Sequence, residues 1–357
     1  MERWPVAKED PLQAWDQADL LLLEYAKQQP SECLLLLNDR FGALTTVLQG
    51  EEPVCWGDSY VSHLAAKHNL ALNGEKSLHF VTGNEVPTGP FDTVLCRVPK
   101  SLEFWEWQLV QLRPRLSAGC RVVAGGMSKH LSSSALSILE RTIGPATRHR
   151  AVGKARILSA DFNSSLRPNP PTNTVIKELG FELENLPNVF ARNRLDAGAR
   201  LFLSTIQGGE GVKMLDLGCG NGVLGIALQR KSPGSALTFI DESYQAVESA
   251  RRNFQRNCAG QAAFLVGDGL SEYQGPGFDF IAFNPPFHQG HQITDSVAWR
   301  MLLDARRHLT PGGELRLVGN RHLGYHAKLK RLFGNCGVVA SDPKFVVLRA
   351  VETPRPR

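Results

Sequence analysis

The chain has 357 residues, 42% of them hydrophobic, and a formal net charge of +5. That length is too great for one core and suits two domains. No apolar run approaches the eighteen or so residues that span a bilayer, and the opening Met1-Glu2-Arg3-Trp4-Pro5 lacks an apolar signal core, so a cytoplasmic protein is expected.

In chain order, the first clear pattern is residues 32–48, ECLLLLNDRFGALTTVL, an apolar strand, a turn and a helix start. Asp58-Ser59-Tyr60 then opens a helix carrying Ala66 and Asn69, Phe91-Asp92 opens a second apolar strand, and Leu116-Ser117-Ala118-Gly119 precedes a third. Residues 101–170 hold 10 basic groups against 4 acidic ones and bring Arg141, Arg148, Arg150, Lys154 and Arg156 close together. A polyanion can use such a patch; a solvated helix face explains it as readily. Residues 161–174, DFNSSLRPNPPTNT, read as a linker, which divides the chain into 1–165 and 166–357.

The second half repeats the first. Residues 212–228 match 32–48 at an offset of 180, Glu242-Ser243-Tyr244 matches Asp58-Ser59-Tyr60 at 184, Phe278-Asp279 matches Phe91-Asp92 at 187, and Leu309-Thr310-Pro311-Gly312 matches Leu116–Gly119 at 193. Offsets that drift slowly upward mean the same elements in the same order with small insertions. The fold expected is therefore α/β, two tandem Rossmann-like domains from an internal duplication. The N-terminal copy is degenerate. Leu36, Asn38, Arg40, Gly57, Arg97 and Lys100 stand where the second copy has Asp216, Gly218, Gly220, Asp241, Asn284 and Phe287. Such a copy keeps the frame without the ligand site, and RNA capture or scaffolding are the roles left to it.

The turn Asp216-Leu217-Gly218-Cys219-Gly220-Asn221-Gly222 lets the backbone approach a ligand closely. Gly220-x-Gly222-x-x-Gly225 also satisfies the dinucleotide pattern, which keeps a dehydrogenase open on this motif alone. Context points elsewhere. Asp216 is placed to take a bound ammonium group. Asp241, with Glu242 after it, ends the next strand and can take the hydroxyls of a ribose. Asp268, in Gly267-Asp268-Gly269, can reach an adenine amine. Amino acid, ribose and adenine together describe S-adenosylmethionine. No metal is expected: the seven cysteines (Cys33, Cys55, Cys96, Cys120, Cys219, Cys258, Cys336) form no CxxC pair and no zinc spacing.

Asn284-Pro285-Pro286-Phe287 follows the strand Phe278–Phe283. Two successive prolines remove two backbone donors. The Asn284 side-chain oxygen and the Pro285 carbonyl can then accept both hydrogens of an exocyclic amine while Phe287 stacks on its base. With a sulfonium methyl donor, positioning and desolvation supply the catalysis.

These residues resemble class I S-adenosylmethionine-dependent methyltransferases that act on exocyclic amines. Asn188-Val189-Phe190-Ala191-Arg192-Asn193-Arg194-Leu195-Asp196-x-Gly198, Asn284-Pro285-Pro286-Phe287-His288-Gln289, Asn320-Arg321-His322-Leu323 and Phe333-Gly334-Asn335-Cys336 narrow the resemblance to the ribosomal RNA guanine-N2 methyltransferases RsmC and RlmG, with the last hundred residues nearest the large-subunit branch. The resemblance covers the whole chain and is looser in the first half. It implies methylation of N2 of one guanine in 23S rRNA, and Phe190 and Asp196 beside the cofactor. A monomer acting on large-subunit rRNA is expected, with no membrane partner. A 16S rRNA guanine, an adenine N6, a protein glutamine amide and a non-catalytic RNA-binding assembly role are the competing readings.

Overall fold

A computed structural model describes residues 1–6, 12–74, 77–209, 211–286 and 292–353. It divides into two compact units, Met1–Thr172 and Asn173–Arg357. The division lies a few residues beyond the expected 165/166. Arg113 holds the start of the proline-rich run to the first unit, donating to the carbonyls of Asn163 (2.9 Å) and Leu166 (2.7 Å).

The first unit runs α1 (Gln17–Gln28), β1 (Leu34–Leu37), α2 (Ala43–Val47), β2 (Val54–Gly57), α3 (Tyr60–Leu72), β3 (His79–Thr82), β4 (Phe91–Arg97), α4 (Leu102–Leu112), β5 (Leu116–Met127), α5 (Ser133–Thr142), β6 (Ala146–Arg148) and β7 (Ala155–Asp161). Its sheet has the order β3-β2-β1-β4-β5-β7-β6. The inner strand β1 is four leucines, all buried, as a parallel strand covered by helices on both faces requires.

The second unit opens with a hairpin, β8 (Thr174–Glu178) and β9 (Phe181–Asn185). It continues α6 (Ala197–Leu203), β10 (Lys213–Leu217), α7 (Val223–Lys231), β11 (Ala236–Asp241), α8 (Tyr244–Asn257), β12 (Ala263–Val266), β13 (Phe278–Phe283), α9 (Gln292–Arg307), β14 (Leu309–Asn320), α10 (Tyr325–Phe333), β15 (Gly337–Ser341) and β16 (Phe345–Val351). Its sheet order, β12-β11-β10-β13-β14-β16-β15, repeats the first strand for strand.

The duplication extends to single contacts. Gly42 and Gly222 have φ of 80° and 81° at the starts of α2 and α7. A Cβ on Gly222 would lie 2.9 Å from Ala250 Cβ, and one on Gly42 would strike Ala66, so each glycine lets one helix rest on its neighbour. Asp92 accepts from Cys33 N (3.1 Å) as Asp279 accepts from Lys213 N (2.9 Å), tying the start of the inner strand to its neighbour in each sheet.

Candidate active site

β10 and β13 run parallel with Leu217 beside Phe283, so Gly218 and Asn284 leave the sheet together. A Cβ on Gly218 would lie 4.0 Å from the Asn284 carbonyl oxygen. Gly218, Gly220 and Gly222 have φ of 68°, 53° and 81°, a region that L side chains enter only under strain. The N–H groups of Gly218 and Cys219 donate to the Ile240 carbonyl (2.8 and 3.0 Å), folding the turn over β11. Asn221 Oδ1 accepts from Val223 N at 3.3 Å, in the first turn of α7. The Cys219 thiol is buried, and burial pushes its pKa up.

Asp241, at the end of β11, joins this turn: Oδ2 accepts from Gly220 N (2.9 Å) and Oδ1 from Ser243 N (3.0 Å). Desolvation raises its pKa against those donors and the backbone N–H of Glu242. The Glu242 side chain is exposed beside it. Asp216 is buried on β10 and accepts from Gly225 N (2.8 Å), inside the first turn of α7. Burial pushes its pKa up to about 8, with the Asp241 charge adding to the effect. Neither carboxylate has a cationic partner among the described residues.

Asp268 sits differently. It is buried, and the Arg300 guanidinium engages both its oxygens, at 2.8 and 2.5 Å. The expected adenine contact thus falls on a carboxylate already held from α9, a pairing with no signal in the sequence. Gly269 has φ of 59°, and a Cβ there would lie 3.5 Å from Met301 Cγ. Phe190 is 60% exposed, outside the core.

The approach to the site is held by a polar stripe on α8. Gln245, Ser249, Asn253 and Asn257, four residues apart, accept from the backbone N–H groups of Asn188 (2.9 Å), Leu186 (3.1 Å), Glu184 (2.7 Å) and Glu182 (3.2 Å). Residues spaced by four share a helix face, and this face clasps the chain that leads to Asp196. Asp196 caps α6 through Oδ2, which accepts from Ala199 N (2.9 Å). Asn284 Nδ2 lies 3.5 Å from the same oxygen. Asn284 Oδ1 is buried with no partner among the described residues. Pro285 is buried after it, and Phe287 lies outside the described residues. Asn320 Oδ1, at the end of β14, is also buried without a partner among the described residues.

The first unit's counterpart is filled by paired polar groups. Asn38 keeps a left-handed φ of 57° where the second unit has Gly218. Its amide exchanges hydrogen bonds with the buried Gln108 (2.8 and 3.2 Å). Arg97 replaces Asn284 and binds both oxygens of Asp16 (2.7 and 2.8 Å) and one of Asp19 (2.9 Å).

The basic residues divide as well. Arg141 is paired through two hydrogen bonds with Glu106 (2.7 and 2.8 Å). Arg148, Arg150 and Lys154 are exposed around the β6–β7 hairpin, and Arg156 is half-buried. In the second unit Arg300, Arg306, Arg307 and Arg316 all belong to ion pairs, with Asp268, Glu352, Asp304 and Glu314.

Two copies of one doubly wound sheet, the second with a glycine turn, two strand-end carboxylates and an Asn-Pro-Pro strand end, define the class I methyltransferase architecture. Residues 180–349 match the family model of the methyltransferase small domain, and residues 1–164 match that of the RLMG N-terminal domain. Proteins named ribosomal RNA large subunit methyltransferase G are 46% identical in Ectopseudomonas mendocina, over 98% of this chain and 96% of theirs, and 43% identical in Streptomyces avermitilis, over 99% and 96%. The chain belongs to the ribosomal RNA large subunit methyltransferase G family. In fold it is similar to the Thermus thermophilus 16S rRNA N2 G1207 methyltransferase RsmC, solved with AdoMet and guanosine (TM-score 0.77, 23% identity, 94% of this chain and 92% of that one). Among the described residues, no helix is long and apolar enough to cross a membrane.

Proposed function

We propose that this chain transfers a methyl group from S-adenosylmethionine to the exocyclic N2 amine of a guanine in 23S ribosomal RNA, with the second unit as the catalytic domain. The observation that carries the reading is Asn284 Oδ1. It is a buried acceptor with no partner among the described residues, at a strand end beside the glycine turn. A buried acceptor without a donor is costly, and an incoming amine removes that cost. The large-subunit substrate rests on the name shared by the relatives.

The residues present fit the cofactor. Asp216 and Asp241 are desolvated carboxylates without cationic partners among the described residues, and the glycine turn between them is open backbone. In this reading Asp216 meets the ammonium end, Asp241 and Glu242 the ribose, and Asp268 with Gly269 the adenine side. Phe190, Cys219 and Asn221 line the approach. The bound cofactor supplies an electrophilic methyl group on a sulfonium. Asn284 Oδ1 and the Pro285 carbonyl accept the two amine hydrogens and hold the nitrogen lone pair toward the methyl. Phe287 stacks on the base. Holding the reactants in line and keeping water out lowers the barrier without a strong base.

The first unit supplies RNA affinity through Arg148, Arg150, Lys154 and Arg156, with Arg141 beside them. The β6–β7 hairpin offers an exposed Arg148 on its short edge strand and exposed Arg150 and Lys154 in its connection. The experiment is mass mapping of rRNA from cells with and without this protein. The reading expects one N2-methylguanosine in 23S rRNA to depend on it. A dependent methyl in 16S rRNA, or on an adenine, would replace the assigned substrate.

A further inference from the structure

We propose that Asp196 is a positioning residue that turns the Asn284 carboxamide so that its oxygen meets the target amine; this rests on the amine-methylation reading above. An ionised carboxylate only accepts hydrogen bonds. The end of the Asn284 amide that faces Asp196 Oδ2 at 3.5 Å must therefore be its NH2 group. The oxygen is left on the other side, buried and with no partner among the described residues. Rotating the amide by half a turn would set oxygen against carboxylate. Asp196 is itself fixed, because the same Oδ2 caps α6 through Ala199 N at 2.9 Å.

The chain carries its own comparison. In the first unit Asp16 caps α1 by accepting from Ala18 N at 2.8 Å, as Asp196 caps α6. The residue ending β4, at the place of Asn284, is Arg97, which binds both Asp16 oxygens at 2.7 and 2.8 Å. A contact between the helix-capping aspartate and the strand end thus belongs to both copies. With arginine it is a closed ion pair that leaves no acceptor over. With asparagine the same aspartate holds the donor end and leaves an oxygen for a ligand. Gly198 keeps the space clear: a Cβ there would lie 3.0 Å from Asp196 Oδ2.

The test compares Asp196→Ser, Asp196→Asn, Asn284→Ala and the double variant Asp196→Ser/Asn284→Ala in the full chain. Turnover is measured at saturating S-adenosylmethionine and deproteinised 23S rRNA, with cofactor affinity by calorimetry and thermal midpoints alongside. Serine still caps the helix but is too short to reach Asn284, whereas asparagine offers an oxygen at the same place. Asp196→Ser should lower kcat on the order of 10- to 100-fold, with cofactor Kd and thermal midpoint close to the parent. Asp196→Asn should keep the larger share of the turnover. In the Asn284→Ala background, Asp196→Ser should add less than about twofold. Parental kcat in Asp196→Ser, a loss that multiplies with that of Asn284→Ala, or a loss confined to cofactor affinity would overturn the proposal while Asn284→Ala keeps its own large, measurable loss of turnover. Normal turnover in Asn284→Ala would remove the underlying reading, and this inference with it. If Asp196→Ser melts early, Asp196→Thr repeats the comparison, since threonine is also a capping residue without the reach.

Discussion

Asn253 Nδ2 donates to the main-chain oxygen of Asn221 across 3.0 Å, fixing the end of the glycine turn to the middle of α8. The same side chain exchanges hydrogen bonds with the backbone of Glu184 (2.7 and 3.0 Å). In the first unit Asn69 does the same to the Phe41 carbonyl (2.9 Å) and to the backbone of Glu2 (2.7 and 2.8 Å). Both asparagines are fully buried. The duplicated clamp outlived the loss of the first unit's ligand residues, so its role is in folding.

Asn253→Ala and Asn69→Ala should each destabilise the unit that contains them. Each leaves a backbone N–H and two carbonyls without partners, a cost of roughly 2–4 kcal/mol. Hydrogen exchange by segment reads this directly, and uniform protection in either variant would contradict the clamp.

Asp241→Ala should weaken S-adenosylmethionine binding by about 1.5–3 kcal/mol, the loss of a charge-assisted hydrogen bond. Asn38→Ala and Arg40→Ala should leave it unchanged, because the first unit lacks the carboxylates. Calorimetry on the three variants separates the units; a loss in either first-unit variant would place the cofactor in the wrong half.

The Asp216 carboxyl titrates near pH 8 in the folded chain against 3.8 ordinarily. Between those values the unfolded chain carries the charge while the folded chain keeps the proton. Its contribution to stability is therefore full below about pH 4 and is lost as the pH rises to about 8. Asp216→Asn removes the titration and still accepts from Gly225 N. The urea midpoint of the variant should gain on the parent between about pH 5 and pH 8.5; parallel curves would refute the assignment.

Changing Arg148, Arg150 and Lys154 to alanine should flatten the salt dependence of RNA binding, by about 0.7–0.9 in log–log slope for each phosphate left without its cation. Arg141→Ala should change it little, since Glu106 already holds that guanidinium. An unaltered slope in the triple variant would leave the first unit as a folding scaffold.

The frame is legible in sequence because parallel central strands are continuous apolar runs and because Gly42 and Gly222 mark the same helix start in both halves. Asp216, Asp241 and Asn284 are legible because a strand end puts its next residue at the sheet edge. The Asp268–Arg300 pair is not, since it joins residues 32 apart through a long side chain reaching back from a helix. The relic site is hidden for a related reason. A lost ligand residue says nothing of what replaces it, and in the first unit Asn38, Gln108, Arg97 and Asp16 rebuilt the space as closed polar pairs. The α8 stripe is hidden because Gln245, Ser249, Asn253 and Asn257 look like a solvated face, and a backbone covers it.

The most direct measurement is methyl transfer from labelled S-adenosylmethionine to deproteinised 23S rRNA by the full chain and by Asn284→Ala, with cofactor affinity measured on the same samples. The account predicts that Asn284→Ala loses on the order of 100-fold or more in turnover while its cofactor Kd stays within about twofold of the parent. Parental turnover in Asn284→Ala would contradict the account, because the target amine would then not need the Asn284 Oδ1 acceptor.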